Sequence, residues 1–199
     1  SPDRQWMLQI DRPAMPSIED LSRRMLRLAG MRIDPAAEAR FSTRFYSSVS
    51  LRALNGEETV QVPIPAGAKI NGVDWSHHSD YFAITTVTDD GQQLWIVGVN
   101  EPIKPILLTD RLSTVMGGLA WMPDGQSILC QLVPEDRGSE PEVSRTPVGP
   151  NIQESSGNTS PTRTYQDLLS NSDDEALFEY YAKNQLVRIS LDGDIQPIS

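Results

Sequence analysis

"GVDWSHHSDYFAITT", residues 72–86, and "GLAWMPDGQSILCQL", residues 118–132, are two copies of one pattern. Each runs glycine, aliphatic, any residue, Trp, a short polar turn and then a second apolar run. Trp75 and Trp121 stand 46 residues apart, which is the kind of fixed period that marks repeat architectures. "SPDRQWMLQI", residues 1–10, joins the pattern one position after its Trp: Ser1 matches Ser76 and Met122, Pro2 matches His77 and Pro123, and Asp3 matches His78 and Asp124. The chain therefore reads as beginning inside a repeat, and an aromatic residue, Trp by analogy, is expected before Ser1.

A second half-repeat recurs as "SSVSLRALNGEETVQVPI" (47–64), "QQLWIVGVNEPIKPILLT" (92–109) and "NQLVRISLDGDIQPIS" (184–199). Each gives an apolar strand, a turn at Asn55-Gly56, Asn100-Glu101 or Asp192-Gly193, and another short strand. Asn-Gly and Asp-Gly are expected to supply the positive φ angles of tight hairpins. Joined together, the halves make units of four short strands with a period of roughly 40–50 residues, that of a propeller blade. The expected fold class is all-β: a partial β-propeller of four-stranded antiparallel blades with short helical insertions, about three blades over residues 1–199. Propellers typically close with about four to eight blades, so the chain is expected to be part of a larger ring with apolar cut faces.

Two insertions interrupt the repeats, near 15–30 and 134–183. In "MPSIEDLSRRMLRLAG", Ser17 is the expected N-cap, Glu19 and Asp20 fill the first turn, Leu21, Met25 and Leu28 have helical spacing, and Gly30 is the stop. The second insertion opens as a Pro/Gly/Ser/Glu-rich loop. It is expected to finish as two amphipathic helices, one with Tyr165, Leu168 and Leu169 and one with Leu177, Phe178 and Tyr181.

Composition narrows the function classes. Apolar residues make up 38% and charged residues 22%, the balance of a folded domain. Seventeen Lys and Arg against 27 Asp and Glu leave a formal charge of −10 spread along the chain, which argues against nucleic acid as a partner. The longest apolar runs, such as "LWIVGV" at 94–99, are far shorter than the roughly 20 residues of a membrane helix, so no membrane partner is expected either. Cys130, the one cysteine, sits in the apolar run "SILCQLV" and reads as core.

The search for chemistry yields no catalytic residues and no cofactor. His77 and His78 are the only histidines and occupy a turn; a metal site needs further donors, so no metal is expected. The acidic stretches "TDDGQQ" (88–93) and "LDGDI" (191–195) read as hairpin turns, and Asp173, Asp174 and Glu175 as favourable charge at the start of a helix. No G-x-S-x-G elbow, dinucleotide fingerprint or phosphate loop occurs. Asn158-Thr159-Ser160 has the form of a glycosylation sequon.

The segments "MPSIEDLSRRMLRLAGMRID" (15–34), "PAGAKINGVDWS" (65–76), "TPVGPNIQE" (146–154) and "RTYQDLLSNSDDEALFEYYAKNQLVRISLDG" (163–193) carry more. Together they resemble the N-terminal propeller of the glutamyl endopeptidase branch of the prolyl oligopeptidase family of serine peptidases. Two departures stand out: Arg23-Arg24-Met25-Leu26 where that family has Arg-Pro-Glu-Leu, and His77-His78 in place of Pro-Asp. The resemblance implies a cap that gates peptides toward a downstream α/β-hydrolase domain, whose Ser, Asp and His would lie beyond Ser199. Peptide substrates and that domain are the implied partners, with cleavage after Glu. The compartment stays open between bacterial cytoplasm, periplasm and plastid.

Recognition of a substrate carboxylate calls for a cation, and Arg is suited to bidentate binding. Arg137, in "PEDRGSEP" (134–141), is the substrate-facing candidate, weighed against an ordinary loop arginine. The alternative function is a non-enzymatic WD- or TolB-like propeller that binds peptides or proteins.

Overall fold

Antiparallel strands and two helices make up the regular structure of residues 1–56, 58–100, 102–143 and 166–198, the part that the computed structural model describes. In chain order the first elements are β1 (Trp6–Asp11), α1 (Ile18–Ser22), β2 (Leu26–Leu28), β3 (Met31–Asp34), β4 (Ala39–Arg40), β5 (Ser48–Ala53) and β6 (Thr59–Gln61). There follow β7 (Lys69–Trp75), β8 (Tyr81–Thr88), β9 (Gly91–Gly98) and β10 (Ile106–Ser113). The last are β11 (Ala120–Trp121), β12 (Ser127–Leu132), α2 (Ser172–Ala182), β13 (Gln185–Ser190) and β14 (Ile195–Pro197).

Strands β1, β5 and β6 form one sheet and β2, β3 and β4 a small second one. Strands β7 to β10 pair in sequence order, as do β11 to β14, and the two sets join where the end of β10 pairs with β12 at Leu112–Leu132 and Ser113–Gln131. Register shifts at Leu107–Thr109 and Thr109–Leu112 interrupt the β9–β10 ladder, as bulges do when they bend a strand, and at Leu112 β10 pairs with Gln92 of β9 on one edge and Leu132 of β12 on the other. No described sheet closes on itself.

Side-chain alternation explains the layering. On β8, Phe82 and Ile84 face the β1-β5-β6 sheet and pack with Val49, Leu51, Val62 and Ile70. Ala83, one residue out of phase, turns the other way and packs with Trp121, Ile128, Cys130, Val187 and Ile189. Strand β8 is therefore buried on both faces, and β13 on one face only.

The turns before β1, β8 and β12 repeat in atomic detail. Ser1 N–H donates to Trp6 O, Ser76 N–H to Tyr81 O and Met122 N–H to Ser127 O, each at 2.9 Å. Inside each loop the fourth residue donates back to the first: Arg4 to Ser1 at 3.1 Å, Ser79 to Ser76 at 3.1 Å, and Gly125 to Met122 at 2.9 Å. Those fourth residues share the left-handed conformation, with φ of 59°, 65° and 65°. Asp3 and Asp124 each accept the N–H two residues on, at 3.0 Å, which is why Asp suits that position. The register read from the sequence thus holds in three dimensions.

Other expectations need correction. The helix expected over 15–30 is only α1, five residues long, although Ser17 caps it as expected: Asp20 N–H donates to Ser17 Oγ at 3.0 Å, with the reciprocal capping-box bond present. Beyond it, "LRLAGMRI" alternates with period two, and Leu26–Ile33, Arg27–Arg32 and Leu28–Met31 pair across a hairpin. Ala29 at φ 50° and Gly30 at φ 76° make its two-residue turn, so Gly30 turns a hairpin and stops no helix. In the second insertion α2 forms, whereas Leu168 and Leu169 are not helical; Tyr165 and Asn158 lie outside the described residues. Gly193 takes φ 90°, but Gly56 does not enter the left-handed region.

Candidate functional site

The two insertions, which the sequence places on different repeats, dock on each other. Leu28 and Ile33 of the β2–β3 hairpin pack with Leu177 and Tyr181 of α2 and with Val115, just after β10. Alternation buries one face of the hairpin, and helical spacing puts Leu177 and Tyr181 on one side of α2.

Arg137 sits in this joint. Its Nη1 and Nη2 donate to the two carboxylate oxygens of Glu38 at 2.9 and 2.5 Å, and its guanidinium lies 4.1 Å over the Tyr180 ring. The Arg137 side chain is 8% exposed and that of Glu38 12%. Burial disfavours the charged guanidinium, but the hydrogen bonds and charge of Glu38 outweigh it and raise the Arg137 pKa. Arg137 is therefore no free loop arginine: its charge is engaged by Glu38.

A second pair runs with opposite polarity. Arg24 of the first insertion donates to both oxygens of Glu140 in the second, at 3.0 and 2.6 Å. The hydrogen bond from Arg24 holds the Glu140 carboxyl below its ordinary range, and burial chiefly pushes the neighbouring Tyr181 hydroxyl up. Gly30 N–H adds a 2.8 Å bond to Asp167 O. Two reciprocal bidentate pairs around an apolar contact make a clasp.

Beside the clasp lie two clefts that share Lys69. One, of about 560 Å³, is lined by Arg23, Arg24, Asp34, Lys69 and Trp95 among others, and its cations are paired. Arg23 binds the carboxylate of Asp34, itself 1% exposed, while Lys69 meets Asp20 at 2.6 Å and Glu19 at 3.5 Å. The other, of about 490 Å³, runs between Arg12–Asp20 and Thr43–Ser47. No motif in the sequence marks Glu38, Glu140, Arg12 or Arg44. Glu38 lies 99 residues from Arg137, and no local pattern signals such a partner.

His77 and His78 occupy the turn before β8, where the His78 ring lies against Gly125 of the next turn. Cys130 is buried in the core between layers, and desolvation pushes its thiol up to about 12, far from a nucleophile's range.

No protein-family model matches the chain. Two curated plant proteins do. A probable chloroplastic glutamyl endopeptidase of Oryza sativa subsp. japonica is 32% identical over 213 residues, covering 100% of this chain and 23% of that protein. Its counterpart from Arabidopsis thaliana is 31% identical over 212 residues, with 100% and 22% covered. The chain is homologous to one part of these glutamyl endopeptidases. It spans less than a quarter of either relative's length. The likeness to glutamyl endopeptidases that the insertions carried in the sequence therefore extends along the whole chain.

Proposed function

We propose that this chain is a propeller portion of a serine peptidase of the prolyl oligopeptidase family that cleaves after Glu. In this reading β7–β10 and β11–β14 are two blades and β1, β5 and β6 belong to a third. Their role is to restrict entry to peptides and to shape the approach to a Ser-Asp-His hydrolase domain carried in the rest of the parent protein. The observation that carries the reading is the full-length similarity to probable glutamyl endopeptidases. The repeated turn geometry and the stacked four-strand sets favour a propeller within it. In this chain the charge of Arg137, the substrate-facing candidate, is paired with Glu38.

The test uses the parent protein with fluorogenic peptides that differ only in the residue before the cut. Glu is expected to exceed Gln and Ala by at least about tenfold in kcat/KM, with covalent labelling of a serine by a fluorophosphonate. Equal rates on Glu and Ala would remove the specificity, and absence of both labelling and cleavage would remove the peptidase reading.

A further inference from the structure

The 490 Å³ cleft differs from its neighbour in the state of its cations. Arg12, just after β1, and Arg44, between β4 and β5, both line it and both are exposed. Among the described residues neither guanidinium has a hydrogen-bond or ion-pair partner, whereas Lys69 beside them is held by Asp20. Asp20 is the single carboxylate of the lining, and Lys69 and Ser17 already occupy it. Two uncommitted cations thus face one depression on a chain whose formal charge is −10. The floor is apolar and aromatic: Phe45 and Tyr46 line it, and Met15, 78% exposed, stands at its rim.

That combination selects a ligand class. Guanidinium forks match carboxylates in planar, bidentate geometry, and an aromatic floor takes the side chain or backbone next to the charge. A polyphosphate backbone fits poorly, because phosphate tracking needs a run of cations and this lining offers two unpaired ones. The volume lies within the few hundred to about 1,000 Å³ of small-ligand pockets, enough for a few peptide residues.

We propose that this cleft docks an acidic peptide segment, with carboxylates on Arg12 and Arg44 and an adjoining apolar side chain on Phe45, Tyr46 and Met15. Its biological use, holding substrate away from the reacting bond, rests on the peptidase reading; the binding itself does not.

The experiment is fluorescence anisotropy of the parent protein, treated beforehand with a fluorophosphonate to block any reactive serine, with a labelled ten-residue Glu/Leu peptide and its Gln/Leu counterpart. The Glu peptide is expected to bind at least about tenfold more tightly than the Gln peptide, since charge-assisted bonds are roughly twice as strong as neutral ones. Arg12→Gln with Arg44→Gln should abolish that difference, while Arg27→Gln, an exposed cation on β2 away from the cleft, should leave it intact. Circular dichroism and thermal melts of each variant check that these exposed substitutions leave the fold unchanged. Equal binding of the two peptides, wild-type binding by the double variant, or an equal loss in Arg27→Gln would overturn the site. Failure of the parent to cleave peptides would end the peptidase reading and leave this binding result standing.

Discussion

Asp3 N–H donates to Ser79 Oγ at 3.0 Å, joining two turns that lie 76 residues apart in the chain. The next pair of turns repeats the step: His78, the counterpart of Asp3, meets Gly125, the counterpart of Ser79. The third residue of each turn therefore touches the fourth residue of the turn that follows. Such a constant step between successive loops is what a repeated, stacked architecture requires.

Gly125 is fixed by that contact as well as by its backbone. A Cβ built there would lie 2.8 Å from His78 Cδ2, and φ is 65°. Gly125→Ala is expected to cost about 2–3 kcal/mol, combining a left-handed penalty of about 1 kcal/mol with the clash. Adding His78→Ala should recover the clash portion and leave about 1 kcal/mol. Urea melts of the two variants measure this, and an unchanged cost in the double variant would place the strain in the backbone alone.

Arg4 and Ser79 share the conformation of Gly125 but not its surroundings. Arg4 is exposed at φ 59° and makes no side-chain bond among the described residues, so Arg4→Gly should raise stability by up to about 1 kcal/mol. Ser79→Gly relieves similar strain and removes the acceptor for Asp3 N–H, so its gain should be smaller or absent. Equal gains in thermal melts would mean that the Asp3–Ser79 bond contributes nothing.

What the sequence disclosed depended on how local the cause was. The turn register rests on bonds spanning three to five residues and on Asp at a defined offset, so it is legible in the sequence. The Ser17 cap was legible for the same reason. The hairpin over Leu26–Ile33 hides in the sequence because apolar residues at 21, 25 and 28 satisfy a helical period while those at 26, 28, 31 and 33 satisfy alternation. Ala29-Gly30 lacks the Asn or Asp that usually announces such a turn. The pairing of Arg137 depends on Glu38, Tyr180 and a fold that joins two insertions, and nothing near Arg137 encodes that.

The clasp gives a contrast between a buried and an exposed pair of the same chemistry. Glu38→Gln leaves the guanidinium of Arg137 with a side chain 8% exposed and no counter-charge, and should cost about 3 kcal/mol. Arg24→Gln removes a partner that is 54% exposed, and solvent screening should hold its cost under about 1 kcal/mol. Denaturant midpoints rank the two; equal costs would show that the Arg137–Glu38 pair is solvated.

Acid and alkaline behaviour should both trace to the bond between Lys69 and Asp20. Burial pushes the Asp20 carboxyl up, but bonds from Lys69 and Ser17 outweigh it and leave the pKa below the ordinary 3.8. Between the lowered folded value and 3.8 the unfolded chain binds more protons, so this contribution is complete above about pH 4 and disappears as pH falls through the folded value. Lys69 is raised above 10.5, chiefly by its hydrogen bond to Asp20, so its contribution is complete below 10.5 and fades as pH climbs through the raised value. Asp20→Asn should cost about 1–2 kcal/mol at neutral pH and flatten both limbs of a stability-versus-pH curve measured by urea unfolding. An Asn variant whose acid and alkaline limbs matched the wild type's would show that the pair sets neither limb.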